Sequence, residues 1–193
     1  MNNKKVLLII VLVFLIILGG AYTLYDKLGD SIESEQFVVQ ETQNTTDQDS
    51  SSEEDKAPDF VVYDIDGNEV RLHDYIGKPI VLNFWASWCG PCQMEMPDFN
   101  EKYLELGDEV HFLMINMTDG SRETVESASA FVSEKGYSFP VFYDTDIDAA
   151  MTYGAYSLPT TYFIDEEGVP FARVSGAISA DTLQEAIDLM RQN

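Results

Sequence analysis

The amino-acid sequence predicts an α/β fold in which a mixed β-sheet is flanked by helices, and three observations carry this prediction. First, the chain has 193 residues, of which 45% are hydrophobic, enough for a buried core and too many for wholesale disorder. Second, predicted strands alternate with amphipathic helices between residues 57 and 193, an order typical of α/β sandwiches. Third, the chain has only two cysteines, which excludes a scaffold held by several disulfide bonds and a four-cysteine zinc site.

The charge of the chain is strongly negative. Eleven lysines and arginines stand against 34 aspartates and glutamates, so the formal net charge is −23 at pH 7. A surface of this sign repels nucleic-acid phosphates and anionic lipid headgroups. We therefore expect no nucleic acid among the partners of this protein.

Residues 6–25 form an uncharged stretch, and residues 6–18 within it are all aliphatic or Phe. A helix of this length spans a hydrocarbon core of about 30 Å, so the sequence predicts a single transmembrane anchor. Lys4 and Lys5 before the stretch predict that residues 1–5 are a cytoplasmic stub and that the rest of the chain lies outside the cell membrane. A cleaved signal peptide is the alternative, because the small residues 19–21 suit a cleavage site.

Residues 26–56 are rich in Ser, Thr, Gln, Asp and Glu, with ten acidic residues against two lysines. This composition predicts a solvated, flexible linker with an end-to-end distance of roughly 30 Å. The linker would connect the anchor to a single domain of residues 57–193.

The domain is predicted to begin with a hairpin and a buried strand. Two short strands, residues 60–63 and 69–72, flank Asp66-Gly67, a dipeptide typical of tight hairpin turns. Residues 79–86 are almost continuously apolar, which predicts a strand buried on both faces of the sheet. Apolar residues then recur at helical spacing from 90 to 107, with Pro97 as an expected kink.

The second half of the domain continues this alternation. The predicted elements are a strand (110–117), a helix ended by Gly136 (123–135), a short strand (139–143), a short helix (146–153), two strands (160–164 and 170–174) and a closing helix capped by Ser179 (179–191). This order indicates a mixed-sheet α/β sandwich.

Cys89 and Cys92 lie where the buried strand gives way to its helix. A cysteine at a helix amino terminus faces unpaired backbone N–H groups and the positive end of the helix dipole, which lowers the pKa of its thiol. Cys89 is therefore the candidate nucleophile of thiol–disulfide exchange. Cys92, about one turn later, is placed to resolve the mixed disulfide that forms on Cys89.

Two other interpretations of this cysteine pair stay open. In one, the cysteines are buried and purely structural. In the other, they are half of a zinc site completed by His73 and His111. Each histidine is isolated within a run that already has a structural explanation, so we expect neither a metal nor a cofactor.

The segment around the cysteines, Phe-Trp-Ala-Ser-Trp-Cys-Gly-Pro-Cys at residues 84–92, resembles the active-site signature of the thioredoxin superfamily. Pro97 stands where that superfamily kinks its active-site helix, and residues 158–161 resemble its cis-proline loop. The anchor, the Ala-Pro-Asp-Phe opening at 57–60 and the inserted helix and strand make the chain similar to the TlpA/ResA type. This resemblance implies a thioredoxin fold with an N-terminal β-hairpin and an inserted helix–strand unit.

Proteins of the TlpA/ResA type are membrane-anchored extracytoplasmic thiol-disulfide oxidoreductases, some of which serve cytochrome c maturation. The resemblance therefore implies an enzyme that reduces protein disulfides, apocytochrome c among them. It also implies two partners, an oxidised client outside the cytoplasm and a transmembrane electron donor of the CcdA/DsbD type. Gly90-Pro91, the dipeptide of thioredoxin, favours a reductant, since thioredoxin lies near about −270 mV and the oxidant DsbA near about −120 mV.

The resemblance further implies a proton acceptor next to the cysteines. Asn83 stands where cytoplasmic thioredoxins carry a buried aspartate that handles the proton of the second cysteine. Glu95 follows Cys92 by three residues, lies on the same helix face and matches the active-site glutamate of the ResA type. An acid that merely favours the start of a helix is the alternative for Glu95.

The resemblance implies that clients bind in an apolar groove around the cysteines. A cis peptide before Pro159 would leave the Leu158 backbone free to pair with an extended client. Trp88 is expected to form a flat apolar platform, whereas Trp85 is expected to be buried, and Tyr156 and Ser157 border the groove. The expected groove residues are Trp88, Gly90, Pro91, Leu158, Pro159 and Thr160.

Two rival functions remain. A thiol peroxidase shares the Ala-Pro-Asp-Phe opening but requires Thr or Ser three residues before its reactive cysteine, where this chain has Ala86. A copper-binding assembly factor of related fold spaces its cysteines by three residues and adds a late histidine, and no histidine follows His111.

Overall fold

The computed structural model describes residues 38–39 and 56–191. They form one mixed sheet of eight strands in the order β1-β8-β7-β4-β5-β6-β2-β3. The strands are β1 (Val38–Val39), β2 (Val61–Tyr63), β3 (Glu69–Arg71), β4 (Ile80–Trp85), β5 (His111–Asn116), β6 (Val141–Tyr143), β7 (Thr160–Ile164) and β8 (Pro170–Ser175). The helices are α1 (Gly90–Leu106), α2 (Val125–Lys135), α3 (Asp148–Thr152) and α4 (Ala180–Met190), with a 3₁₀ helix at Leu72–Tyr75.

The predicted mixed sheet is confirmed. β4, β5 and β6 run parallel, whereas β7 pairs antiparallel with β4 and β8, and the hairpin of β2 and β3 pairs with β6. The nearly continuous apolar run predicts a strand buried on both faces, and β4 confirms it because all six of its residues are buried. The hairpin and the inserted unit of α2 and β6 also lie where the sequence predicts them.

The two faces of β4 carry different residues. Successive side chains of a strand point to opposite faces, and Ile80, Leu82 and Phe84 join an apolar cluster with residues of the hairpin and of α3. Asn83 therefore points to the opposite face, which α1 covers. α1 contacts α4 on this side of the sheet. Asn83 thus lies beneath α1, the helix that begins at the cysteine pair.

Most of the predicted boundaries shift by one or two residues in the structure, and two helix starts show why. α2 begins at Val125 rather than at Glu123, because Thr124 is the N-cap and its hydroxyl accepts the Ser127 N–H. The helix ends at Gly136, which has a φ of 69° that glycine adopts without steric cost. α4 begins at Ala180, with Ser179 as the predicted cap.

The amino-terminal predictions lie largely outside the described residues. Val38 and Val39, within the predicted linker, form β1 and pair antiparallel with Arg173 and Ala172 of β8. The predicted anchor at 6–25 and the remainder of the linker lie outside the described residues. Within residues 38–39 and 56–191, no helix is both long and apolar enough to cross a bilayer.

Candidate active site

Cys89 and Cys92 form a disulfide bond at the junction of β4 and α1. Cys89 is the N-cap of α1, and its Sγ accepts a hydrogen bond from the Cys92 N–H at 3.2 Å. Pro91 occupies the first turn, where the missing N–H of proline costs the helix nothing. Cys89 is 4% exposed and Cys92 is fully buried. The sulfur of Cys89 therefore lies against the backbone donors of a helix amino terminus, an arrangement that stabilises a thiolate in the reduced protein.

Glu95 is buried beneath the cysteines and hydrogen-bonded at both carboxylate oxygens. Its Oε1 accepts from Asn83 Nδ2 at 2.9 Å, and its Oε2 accepts from the Ile178 N–H at 3.0 Å. Asn83 Nδ2 also donates to Thr161 Oγ1 at 3.0 Å. Asn83 Oδ1 is buried without a partner in the described part of the chain. Asn83, which stands where cytoplasmic thioredoxins carry an aspartate, thus orients the carboxyl group of Glu95.

Burial raises the pKa of Glu95 to about 7, although the hydrogen bonds from Ile178 and Asn83 act in the opposite direction. A carboxyl group with this pKa can bind or release a proton near neutral pH. Glu95 is also the sixth residue of α1, beyond its first turn, and only 2% exposed. These facts argue against the alternative in which Glu95 is a solvated acid that favours the helix start.

The Leu158–Pro159 peptide is cis, as the resemblance implies. The Pro159 carbonyl accepts from the Gly176 N–H at 2.9 Å. Among the described residues, neither the N–H nor the carbonyl of Leu158 takes part in a backbone hydrogen bond. The Leu158 backbone is therefore available to pair with an extended segment.

An apolar cavity of about 330 Å³ is lined by Trp88, the residue before Cys89, and contains part of the predicted groove. Trp88 and Leu158 line it together with Met151 and Tyr156, which are 68% and 86% exposed. The other lining residues are Met117, Asp119, Ile147, Ala150 and Ala155.

The other four predicted groove residues do not line this cavity. Gly90 and Pro91 are exposed at the start of α1, and Pro159 is buried. Thr160 is a correction: it is fully buried, and its hydroxyl donates to the Ser157 carbonyl at 2.7 Å, so it offers no surface to a client.

The two tryptophans differ as expected in burial, but Trp88 is not a purely apolar platform. Trp85 is fully buried and Trp88 is 40% exposed. The guanidinium carbon of Arg122 lies 3.5 Å from the centroid of the Trp88 ring, a cation–π contact. One face of the indole is therefore covered by a cation, a contact that the sequence does not predict.

Neither histidine lies at the cysteines. The Nε2 of His73 lies 3.3 Å from the Ala57 carbonyl, and the His111 ring packs edge-on against Tyr75. His111 pairs with Ile80 at the start of β4, whereas the cysteines follow its end. Within the described residues, no three His, Cys, Asp or Glu side chains are grouped to bind a metal ion.

Sequence reasoning missed Ser87 and Glu123. Glu123 is fully buried and accepts hydrogen bonds from the N–H and the hydroxyl of Ser87, at 3.1 and 2.7 Å. The predicted helix begins at Glu123, which would place this side chain on a helix rather than in the loop beside Ser87. The Thr124 and Ser127 pair, three residues apart, is a capping signal that would have placed Glu123 in the preceding loop.

Comparison with known proteins gives consistent results. A family model described as "AhpC/TSA family" matches residues 54–169. The chain is 38% identical over 133 residues to the thiol-disulfide oxidoreductase ResA of Bacillus thuringiensis subsp. konkukian, covering 67% of this chain and 73% of that protein. It is 34% identical over 186 residues to ResA of Bacillus anthracis, covering 94% of this chain and 95% of that protein. The crystal structure of a putative thiol:disulfide interchange protein DsbE from Chlorobium tepidum superposes with a TM-score of 0.63 at 29% identity, covering 70% of this chain and 95% of that one.

Proposed function

Since this chain belongs to the AhpC/TSA family and, within the thioredoxin superfamily, to the ResA-type thiol-disulfide oxidoreductases, we propose that it reduces disulfide bonds of client proteins outside the cytoplasm. The observation that carries the proposal is the Cys89–Cys92 disulfide at the amino terminus of α1, which follows Trp88, a residue that lines an apolar cavity. In its reduced dithiol form this cysteine pair can pass two electrons to a client disulfide, and the pair then returns to the Cys89–Cys92 disulfide.

The proposed reaction begins with the reduced dithiol, which a transmembrane donor regenerates by supplying two electrons and two protons. The Cys89 thiolate attacks one sulfur of the client disulfide, so that a Cys89–client bond forms and the other client sulfur leaves as a thiolate that takes up a proton. Cys92 then loses its proton and attacks Cys89. The second client thiol leaves with a proton, and the Cys89–Cys92 disulfide is restored.

We assign to Glu95 the proton transfer at Cys92. Glu95 is buried with Cys92 on the same face of α1, three residues further along. Its pKa of about 7 lets it accept the Cys92 proton when the mixed disulfide is resolved and release that proton afterwards. Asn83 and the Ile178 N–H hold both carboxylate oxygens, so the acceptor is oriented before the reaction begins.

The direction, location and client are parts of the same proposal. Gly90-Pro91 between the cysteines supports a reductant. The apolar segment at 6–25 supports an anchor in the cell membrane with the domain outside, and hence a transmembrane donor of the CcdA/DsbD type. The free Leu158 backbone and the cavity support an extended client, with oxidised apocytochrome c as the first to test.

An insulin-reduction assay tests the proposed activity. The wild-type protein, supplied with dithiothreitol, should accelerate insulin precipitation, and Cys89→Ser should abolish this acceleration. Peroxide consumption and copper titration on the same samples distinguish the rivals. Rapid peroxide turnover without insulin reduction would refute the proposal in favour of a thiol peroxidase, and stoichiometric copper binding without it would favour an assembly factor.

A further inference from the structure

A buried carboxylate outside the proposed reaction holds the residue two places before the nucleophile. Glu123 is fully buried at the end of the loop that joins β5 to α2. Its Oε1 accepts from the Ser87 N–H, its Oε2 accepts from the Ser87 hydroxyl, and Asn116 Nδ2 donates to Oε1 at 3.0 Å. A buried carboxylate is costly unless its oxygens are hydrogen-bonded, and here three donors satisfy it.

Every polar group of Ser87 is engaged. Glu123 takes the N–H and the hydroxyl, and Gln93 Nε2 donates to the Ser87 carbonyl. Ser87 therefore has one fixed position, and it is joined to Cys89 through Trp88 alone. The Cys89 N–H in turn donates to the Ala86 carbonyl at 3.1 Å, which closes the turn around Ser87.

The loop that carries Glu123 is itself well defined. Asp119 Oδ1 accepts the backbone N–H groups of Ser121, Arg122 and Glu123 at 2.8, 2.8 and 3.0 Å. The Gly120 N–H donates to the Glu123 carbonyl at 2.9 Å, with Gly120 at a φ of +72° that favours glycine. The same loop thus contacts both residues before the nucleophile, Ser87 through Glu123 and Trp88 through Arg122.

We propose that Glu123 is a positioning residue for disulfide exchange, which holds the Ser87–Trp88 segment so that the Cys89 sulfur meets the client disulfide in line. The inference rests on the proposed function, because it takes Cys89 as the attacking group. Displacing a reacting atom by about 1 Å costs up to about 100-fold in rate. Loss of the two Ser87 hydrogen bonds should therefore slow the attack of Cys89 by about 10- to 100-fold.

Three variants separate positioning from stability. Glu123→Ala removes both hydrogen bonds to Ser87, whereas Ser87→Ala removes only the bond from the hydroxyl. Glu123→Gln keeps an acceptor for the Ser87 N–H and offers an amide donor to the Ser87 oxygen, so it should restore most of the rate. Glu126→Gln, on an exposed residue three positions away, is the matched control.

Two rates are measured on folded protein, with urea unfolding of each variant to establish that it is folded. They are the alkylation rate of Cys89 in the reduced protein and the rate of insulin reduction. We expect slow exchange in Glu123→Ala, an intermediate rate in Ser87→Ala and rescue in Glu123→Gln. A folded Glu123→Ala variant that reduces insulin at the wild-type rate would overturn the inference. A Glu123→Gln variant as slow as Glu123→Ala would also overturn it. A wild-type protein that fails to reduce insulin would refute the proposed function instead, while the alkylation rates would still test Glu123.

Discussion

The substitution Glu95→Gln tests the proposed proton transfer through both the stability and the kinetics of the protein. In the folded state burial raises the pKa of Glu95 from 4.5 to about 7. The folded protein therefore keeps a proton that the unfolded chain releases between about pH 4.5 and 7. Across this window the contribution of Glu95 to the free energy of unfolding falls as the pH rises, by about 3 kcal/mol in total.

The pH dependence of the free energy of unfolding tests the protonation of Glu95 more directly than its value at one pH. Glutamine has one carbonyl oxygen, so either Asn83 or the Ile178 N–H would face its amide group instead of an acceptor, at a cost of about 1–3 kcal/mol. At pH 8 the variant avoids the cost of burying the Glu95 charge. The lost hydrogen bond offsets much of this gain in the free energy of unfolding. Urea unfolding at a series of pH values should therefore show a wild-type-minus-variant difference that declines between about pH 4.5 and 7 and is flat above.

The second expected effect of Glu95→Gln is on the rate of the reaction. If Glu95 accepts the Cys92 proton, Glu95→Gln should slow resolution of the mixed disulfide by about 10- to 10⁴-fold and remove an inflection near pH 7 from the rate profile. Stopped-flow reduction of a model disulfide from pH 5 to 9 measures both quantities. Glu101→Gln, on an exposed residue of the same helix, is the control. A Glu95→Gln variant with an unchanged rate and pH profile would refute the assignment.

Three further predictions concern the cysteines and the amino terminus. In the reduced protein near pH 7, iodoacetamide should modify Cys89 first, because its sulfur lies at the helix amino terminus while Cys92 is fully buried; preferential labelling of Cys92 would reverse their roles. Equilibration with glutathione or dithiothreitol buffers should give a reduction potential closer to about −270 mV than to about −120 mV, and a value at the latter end would indicate a disulfide donor. Cell fractionation with protease shaving should find the protein in the membrane with its domain outside; a soluble form that begins near Ala21 or Tyr22 would identify the apolar segment as a cleaved signal peptide.

The elements of the fold could be predicted from local patterns. The almost continuous apolar run of β4 predicts a buried strand and the Asp66-Gly67 turn predicts a hairpin, and the structure confirms both. The cysteine pair was equally visible, because its position at a strand–helix junction is a property of adjacent residues. Local patterns thus predict β2 to β8 in their order along the chain, although not β1, and they single out the two cysteines that form the disulfide.

Contacts between distant residues could not be predicted in the same way. Glu123 meets Ser87 across 36 positions, and Glu95 meets the Ile178 N–H across 83. Neither spacing leaves a trace in the sequence, so the sequence predicts neither the contact between Glu123 and Ser87 nor the network that orients Glu95. The resemblance to the cis-proline loop predicts Thr160 in the groove, but both faces of β7 are buried at this end and the Thr160 hydroxyl donates to the Ser157 carbonyl.

The most direct test of the proposed reaction is the capture of the mixed disulfide with a client. Reduced Cys92→Ser should accumulate a covalent adduct with an oxidised client, such as insulin or apocytochrome c, because no second thiol remains to release it. Non-reducing electrophoresis followed by mass spectrometry should locate the client cysteine on Cys89, while Cys89→Ser should accumulate little or none. Adducts that form readily in Cys89→Ser, or in neither variant, would contradict the claim that Cys89 attacks the client and Cys92 resolves the intermediate.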